Sequence, residues 1–181
     1  MDAALPPPTS ADHRLAAARH AFSTPERVPM TPHEEAALAG AAEPPLRHEG
    51  LKLARWTLGT GPRVLLVHGW NSRGAHLLDI AQALVEAGFS ATLFDLPAHG
   101  DSGGQAASVV HAARALRAMA ADCGPVHGVV GHSMGSAAAL LAFADGLQVA
   151  RSAHLAGPSS LTPMIKWQAD IPSSTPTAVS A

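Results

Sequence analysis

The residues Gly131-His132-Ser133-Met134-Gly135 give the sequence its strongest chemical signal. They match the pattern G-x-S-x-G, which holds a serine hydroxyl at the tip of a sharp turn between a strand and a helix. The glycines relieve crowding where backbones pass closely, and the N-terminus of the following helix favours negative charge that develops beside it. The pattern therefore predicts nucleophilic catalysis by Ser133.

A second signal, His68-Gly69-Trp70, directly follows the apolar run Val64–Val67. A loop in this place can supply a backbone donor to an oxyanion hole, the pair of N–H groups that binds the negative oxygen of a tetrahedral intermediate. The predicted donors are the backbone N–H groups of Trp70 and Met134. We interpret His68 as a residue that shapes the loop, because a base must reach the Ser133 hydroxyl and the place of His68 in the sequence gives no evidence of that reach.

A third signal is the segment Phe94–Ser102, which contains Asp95, His99 and Asp101. We interpret it as a conformationally fixed loop after a strand. The overlapping string at residues 100–104, Gly-Asp-Ser-Gly-Gly, reproduces the nucleophile string of chymotrypsin-like proteases. That fold is a pair of β-barrels, usually with disulfides, so we interpret the string here as coincidence.

The elements that must position these residues alternate between strands and helices. Apolar runs predict buried strands, and i, i+3, i+4 spacing predicts helices. The predicted strands are Leu51–Leu58, Val64–Val67, Ala91–Phe94, Val126–Val130 and Val149–Ala156, the first half-exposed and the others buried; the predicted helices lie at Leu77–Leu84, Ala107–Asp122 and Met134–Ala144. This alternation predicts an α/β fold with a mostly parallel sheet and helices on both faces. The three signals fall at the carboxyl ends of strands, where such folds place their sites.

Three regions follow from the pattern. Residues 1–45 are rich in proline and are predicted to form a loosely packed arm with short helices at Asp12–Phe22 and Glu34–Ala42. Residues 46–166 are predicted to form the core. Residues 167–181 show no strand or helix periodicity and are predicted to be an irregular tail.

Composition excludes several classes of function. Of the 181 residues, 47% are hydrophobic and 14% charged, so a substantial core is expected, and the net charge of −2 gives no basic excess for a nucleic-acid partner. No apolar run is long enough for a membrane span, and the opening residues lack signal-peptide features, which favours a cytoplasmic location. Cys123 is the single cysteine, and the eleven histidines are scattered, so no disulfide, metal or cofactor is expected. A dinucleotide site is disfavoured because no G-x-G-x-x-G follows the first strong strand.

Together the three signals resemble the α/β-hydrolase family of serine esterases and lipases, over about residues 46–165. One departure is Ala98, where many relatives carry glycine. The resemblance implies that Ser133 is the nucleophile and that Trp70 and Met134 form the oxyanion hole. It also implies a small-molecule acyl substrate. The resemblance further implies that the five predicted strands are the second to sixth of the eight strands in the family's sheet, and that a first strand lies near Leu46.

In this family an acid usually follows the seventh strand and a histidine the eighth. After Ser133 the chain contains Asp145, His154 and Asp170. Asp145 is predicted at the end of the helix after Ser133, facing away from the site, His154 within a strand, and Asp170 in the tail. The sequence therefore predicts a fold that is incomplete at its C-terminal side, as in a truncated member of the family. The last predicted strand, Val149–Ala156, would then be an unpaired edge with exposed apolar faces, which favours aggregation.

Two hypotheses follow. The first is a serine hydrolase that acts on a carboxylic ester or similar acyl bond. The alternative is a truncated, non-catalytic remnant or binding module that lacks the acid and the histidine. Because a serine without a general base is a weak nucleophile, this chain alone is expected to be nearly inactive. The truncation hypothesis fails if no downstream reading frame encodes an acid and a histidine in family context. The sequence makes no prediction of the oligomeric state.

Overall fold

Two clusters of buried apolar side chains lie on opposite faces of one sheet in the computed structural model, which describes residues 22–158 and the isolated positions 13, 17 and 20. In the central strand, Val64 and Leu66 belong to one cluster, and Leu65 and Val67 to the other. This division follows from the two-residue period of a strand, which directs successive side chains to opposite faces. Burial on both faces explains why this strand is a continuous apolar run.

The helices and strands of the described chain are, in order, α1 (Pro32–Leu38), β1 (Ala42–His48), β2 (Leu51–Leu58), β3 (Arg63–Val67), a 3₁₀ turn (Gly74–Leu77), α2 (Leu78–Glu86), β4 (Ser90–Phe94), α3 (Val109–Cys123), β5 (Val126–His132), α4 (Met134–Ala144) and β6 (Arg151–Leu155).

The sheet has six strands in the order β1-β2-β4-β3-β5-β6. The β1–β2 and β2–β4 pairs are antiparallel, and the β3–β4, β3–β5 and β5–β6 pairs are parallel. Helix α2 contributes to one apolar cluster, and α3 and α4 contribute to the other. The prediction of an α/β fold with a mostly parallel sheet and helices on both faces is therefore confirmed. The ends of β3, β4 and β5 meet at one edge of the sheet, which brings the three signal segments into neighbouring loops.

The N-terminal part of the described chain is more regular than its prolines indicate. Helix α1 begins with a capping box, in which Thr31 and Glu34 bond to each other's backbone N–H groups, and it ends at Leu38, earlier than predicted. Strand β1 then includes Pro44 and Pro45, with a register shift between Glu43 and Leu46. An edge strand tolerates proline because the missing N–H groups need not serve a neighbour.

Strand β6 is not buried like the other apolar runs: all five of its residues are exposed, as expected of a strand that truncation leaves at an edge. Within the described chain it pairs only with β5, so it stands at an edge of the sheet. The predicted helix Asp12–Phe22 falls largely outside the described residues, although positions 13, 17, 20 and 22 are helical. The predicted tail at residues 167–181 lies wholly outside them.

Candidate active site

Ser133 occupies the turn between β5 and α4. Its backbone angles are φ 52° and ψ −118°, a left-handed conformation that residues other than glycine rarely adopt. The Ser133 N–H donates to the carbonyl oxygen of Leu155 at 2.8 Å, which ties the turn to the end of β6. The half-buried Ser133 hydroxyl forms no hydrogen bond within residues 22–158. The turn thus presents a free hydroxyl at the carboxyl edge of the sheet.

Glycines on both sides of Ser133 permit this turn. A Cβ atom added to Gly131 would lie 2.8 Å from the carbonyl oxygen of Gly135. A Cβ atom on Gly135 would overlap the Val67 carbonyl oxygen and would lie 2.6 Å from that of His68. The first turn of α4 therefore packs directly on the end of β3, the close approach for which the two glycines were predicted.

The loop after β3 lies against the same turn. A Cβ atom on Gly69 would lie 3.0 Å from the Cβ atom of Ser133. The next residue in the loop is Trp70, and the residue after Ser133 is Met134. The backbone N–H groups of these two residues donate no hydrogen bond within residues 22–158. The Met134 N–H has no partner inside α4 because it belongs to the first helical residue. Two unpaired donors therefore adjoin the contact between Gly69 and Ser133.

His68 is fully buried, and both of its ring nitrogens are engaged. Its Nδ1 atom lies 2.8 Å from the Gly69 carbonyl oxygen, and its Nε2 atom accepts a hydrogen bond from the Leu96 N–H at 3.0 Å. These partners fix a neutral ring with its proton on Nδ1. Burial, followed by the proximity of His99, lowers the pKa of His68 to about 3. The interpretation of His68 as a loop-shaping residue rather than a base is confirmed.

Asp95 and Ser102 are committed to the loop that follows β4. The buried Asp95 carboxylate accepts hydrogen bonds from the N–H groups of Gly74, at 2.7 Å, and Asp101, at 2.8 Å. Burial raises the pKa of Asp95, and these bonds and the nearby guanidinium of Arg73 oppose that shift. The Ser102 hydroxyl donates to the Asp95 carbonyl oxygen and accepts from the Ala54 N–H. The segment is therefore a fixed loop, and its protease-like string is a coincidence, as expected.

Arg73 is a residue of this region for which the sequence signals predicted no role. Its side chain is 3% exposed, and its Nη2 atom lies 3.1 Å from Asp95 and 2.6 Å from Asp101. It joins the loop after β3 to the loop after β4. The only sequence signal that could have indicated a role for Arg73 is the presence of a charged residue in a loop that follows a buried strand.

Within residues 22–158, no Asp, Glu or His side chain forms a hydrogen bond with the Ser133 hydroxyl. Asp145 caps the C-terminus of α4 and lies 3.8 Å from Arg117. His154 is exposed on β6, where its ring packs against Phe143. Neither forms a hydrogen bond with Ser133 within residues 22–158. Asp170 lies outside the described residues.

Among the residues that the structure describes, no group of three or more His, Cys, Asp and Glu residues is placed to hold a metal ion. None of the helices in this part of the chain combines the length and apolar character that crossing a bilayer requires.

Comparison with known proteins identifies the family in which this arrangement of loops occurs. A family model described as "Alpha/beta hydrolase family" matches residues 64–180. The chain belongs to this family. The match includes the turn at Ser133 and the loops after β3 and β4, so these loops are those of an alpha/beta hydrolase. A search of the curated proteins finds no match.

Solved structures of other alpha/beta hydrolases are similar over part of their length. An alpha/beta hydrolase from Sphaerobacter thermophilus is 32% identical, with a TM-score of 0.55 over 62% of this chain and 43% of its own. An epoxide hydrolase candidate from Pseudomonas aeruginosa is 26% identical, with a TM-score of 0.55 over 65% and 42%. A Pyrococcus furiosus esterase, 19% identical with a TM-score of 0.67 over 82% and 70%, shares the fold. The chain thus spans under half the length of the first two.

Proposed function

We propose that this alpha/beta hydrolase is a serine hydrolase that acts on a carboxylic ester or a similar acyl bond of a small molecule. The observation that carries the proposal is the conformation of Ser133, a non-glycine residue at φ 52° whose hydroxyl is free within residues 22–158. Strained backbone of this kind persists where the surrounding structure imposes it, and it clusters at functional sites. The unpaired N–H groups of Trp70 and Met134 support the same proposal.

The proposed reaction begins with attack of the Ser133 Oγ atom on the acyl carbon. The carbonyl oxygen gains negative charge and accepts hydrogen bonds from the N–H groups of Trp70 and Met134. Collapse of the tetrahedral intermediate expels the alcohol and leaves an acyl group on Ser133. Water then attacks that ester, releases the acid and restores the serine hydroxyl.

The proton on the Ser133 hydroxyl needs an acceptor. His68 cannot serve, since its Nε2 atom already accepts the Leu96 N–H and burial keeps its pKa low. The histidine and acid that the family resemblance implies follow later strands than β6. We therefore expect this chain to react slowly, with hydroxide from the solvent in place of a histidine base.

A fluorophosphonate probe tests this function on the 181-residue chain. Labelling is expected to be slow and confined to Ser133, with a rate that rises with pH and does not level off near neutrality. Ser133→Ala should abolish it, and the matched variant Ser72→Ala should leave it unchanged. Equal labelling of other serines, or none at Ser133 above that of the denatured chain, contradicts the proposed function. Fast stoichiometric labelling at pH 7 contradicts the expected inactivity.

A second candidate function is a non-catalytic remnant or binding module. Two of the described histidines favour it. His68 is hydrogen-bonded within the loops, and His154 packs on Phe143. Hydrolysis of a short p-nitrophenyl ester separates the two functions. Turnover that disappears in Ser133→Ala supports the enzyme, and a rate equal to that of buffer supports the remnant.

We also propose a cytoplasmic location, because a sequence with the single cysteine Cys123 has no disulfide framework of the kind that small secreted domains use. Fractionation of cells that express the tagged chain tests this, and recovery of the chain in the secreted fraction would contradict it.

A further inference from the structure

The segment Ser23–Val28, here called the N-terminal strap, contacts both loops of the candidate site. The Glu26 N–H donates to the Asn71 side-chain oxygen at 2.9 Å, in the loop after β3. The Val28 carbonyl oxygen accepts a hydrogen bond from Arg73 at 3.1 Å in the same loop. At its start, the Ser23 carbonyl oxygen accepts from the Ala107 N–H at 2.7 Å. The strap is therefore held at several points along its length.

Arg27 binds the other loop, the one after β4. Its Nη1 atom lies 2.5 Å from the carbonyl oxygen of Gly100 and 2.7 Å from that of Ser102, and its Nη2 atom lies 2.8 Å from that of Gly104. Three carbonyl oxygens that converge on one point repel each other, and the positive charge of the Arg27 guanidinium offsets this repulsion. The planar fork of arginine suits such a set, since it directs several donors at fixed angles.

The loop that Arg27 binds also supports Trp70. His99, in this loop, is buried, and its ring meets the Trp70 ring edge to face with centroids 5.4 Å apart. The His99 ring also lies edge to face against the His68 ring, with centroids 5.0 Å apart. The His99 Nδ1 atom lies 2.9 Å from the Pro97 carbonyl oxygen, so the ring cannot turn without losing this bond. A displacement of the loop would consequently move the His99 ring, against which the Trp70 ring packs.

We propose that Arg27 is a positioning residue for the oxyanion hole, which acts by fixing the loop Pro97–Gly104 and, through His99, the N–H direction of Trp70. The inference rests on the proposed function. An oxyanion-hole donor is effective only when it already points to where the charge develops, so a small displacement lowers the rate rather than the affinity.

The test measures the slow fluorophosphonate labelling of Ser133 at one alkaline pH over a range of probe concentrations. In Arg27→Ala and Arg27→Gln, the maximal rate should fall by about tenfold or more, with the half-saturating concentration unchanged. Arg27→Lys should restore part of the rate, since lysine keeps the charge but not the fork. Arg47→Ala, which removes an exposed arginine of β1, is the matched control and should label as the unaltered chain does.

The outcomes separate the two proposals. If Ser133 of the unaltered chain is not labelled selectively, the proposed function fails. If it is labelled but Arg27→Ala and Arg27→Gln react at the same rate, the inference fails and the proposed function stands. If both variants lose the folded state by circular dichroism, the inference is also overturned, because Arg27 would then be a residue of general stability. A rise in the half-saturating concentration alone would overturn it as well, since Arg27 would then affect probe binding.

Discussion

At the scale of single residues, Ser133 and His68 carry conditions that the surrounding fold imposes. Ser133 is held at a positive φ, which strains its backbone. The polar ring of His68 is fully buried, so it needs hydrogen-bond partners and takes up a proton less readily in acid. Replacement of either residue should therefore change the stability of the protein as well as its chemistry.

The backbone strain at Ser133 predicts that Ser133→Gly is more stable than Ser133→Ala. Both variants lose the hydroxyl, but only glycine adopts φ 52°, ψ −118° without steric cost. The expected difference in the free energy of unfolding is about 1 kcal/mol or more in favour of glycine. Urea denaturation of the two variants measures it. Equal stabilities would show that the turn is not strained.

The low pKa of His68 predicts that stability falls in acid. Above about pH 6.5 the ring is neutral in both the folded and the unfolded chain. Between pH 6.5 and about 3 the unfolded chain binds a proton that the folded chain does not, which lowers the free energy of unfolding by roughly 1 kcal/mol per pH unit. Burial lowers the pKa of His99 too, which acts in the same direction.

Urea denaturation at pH 7 and pH 5 measures this fall in stability. His68→Asn should be less stable at pH 7, since it loses the bond to the Leu96 N–H, but its stability should fall less between the two pH values. An equal fall in both proteins would assign the acid sensitivity to other groups.

At the scale of elements, the site depends on how closely α4 packs on the end of β3. Gly135 makes this approach possible, because any side chain there would meet the backbone of Val67 and His68. The unpaired N–H of Met134 is carried on the same turn of helix. The position of the candidate oxyanion hole is thus a consequence of the contact between one helix and one strand.

The packing of α4 predicts that Gly135→Ala is strongly destabilising. The added methyl group would overlap the Val67 carbonyl oxygen, so α4 must move away from β3 at a cost of roughly 3 kcal/mol. Gly40→Ala is the matched control, because a Cβ atom there has no neighbour within 4 Å, and its stability should be nearly unchanged. Thermal unfolding compares the two variants. Similar melting temperatures would contradict the close approach.

The elements also show what the sequence could predict. Strands β3, β4 and β5 and helix α4 were predicted because continuous apolar runs and helical spacing reflect burial directly. For strand β1 the sequence indicates only a position near Leu46, because Pro44 and Pro45 are typical of a break in regular structure. The strand tolerates these prolines because it lies at an edge of the sheet. The role of Arg27 could not be predicted, because it depends on which distant segments become neighbours. The exposed edge at β6 could be, because the order of the motifs makes this strand the sixth of the family's eight.

At the scale of the molecule, residues Ala21–Pro158 form one compact unit whose sheet has an exposed strand at one edge. Within the described chain, β5 is the only strand that pairs with β6, so N–H and C=O groups on the outer side of β6 can pair with another chain. The unit is also apolar in composition, with 14% charged residues in the sequence as a whole.

The exposed edge predicts self-association. The fraction of associated protein should rise with concentration in light scattering, because edges of β6 from different molecules can pair. Ser152→Lys should lower it, since a charged side chain on an edge strand opposes such pairing. Gln82→Lys places the same charge on an exposed position of α2 and should have little effect. A chain that scatters as a monomer at every concentration would contradict the prediction.

The N-terminal strap has a consequence for the order in which the chain folds. Arg27 is separated from Gly100 by 73 residues, so on a ribosome the strap emerges long before the loop that it binds. The Arg27 side chain must wait for its partners while β1 to β4 are made, and closing so long a segment costs entropy before its bonds are gained. Attachment of the strap is thus a late folding event, and its release is an early step of local unfolding. Opening of the site is then expected to begin at a segment that was synthesised before any strand of the sheet.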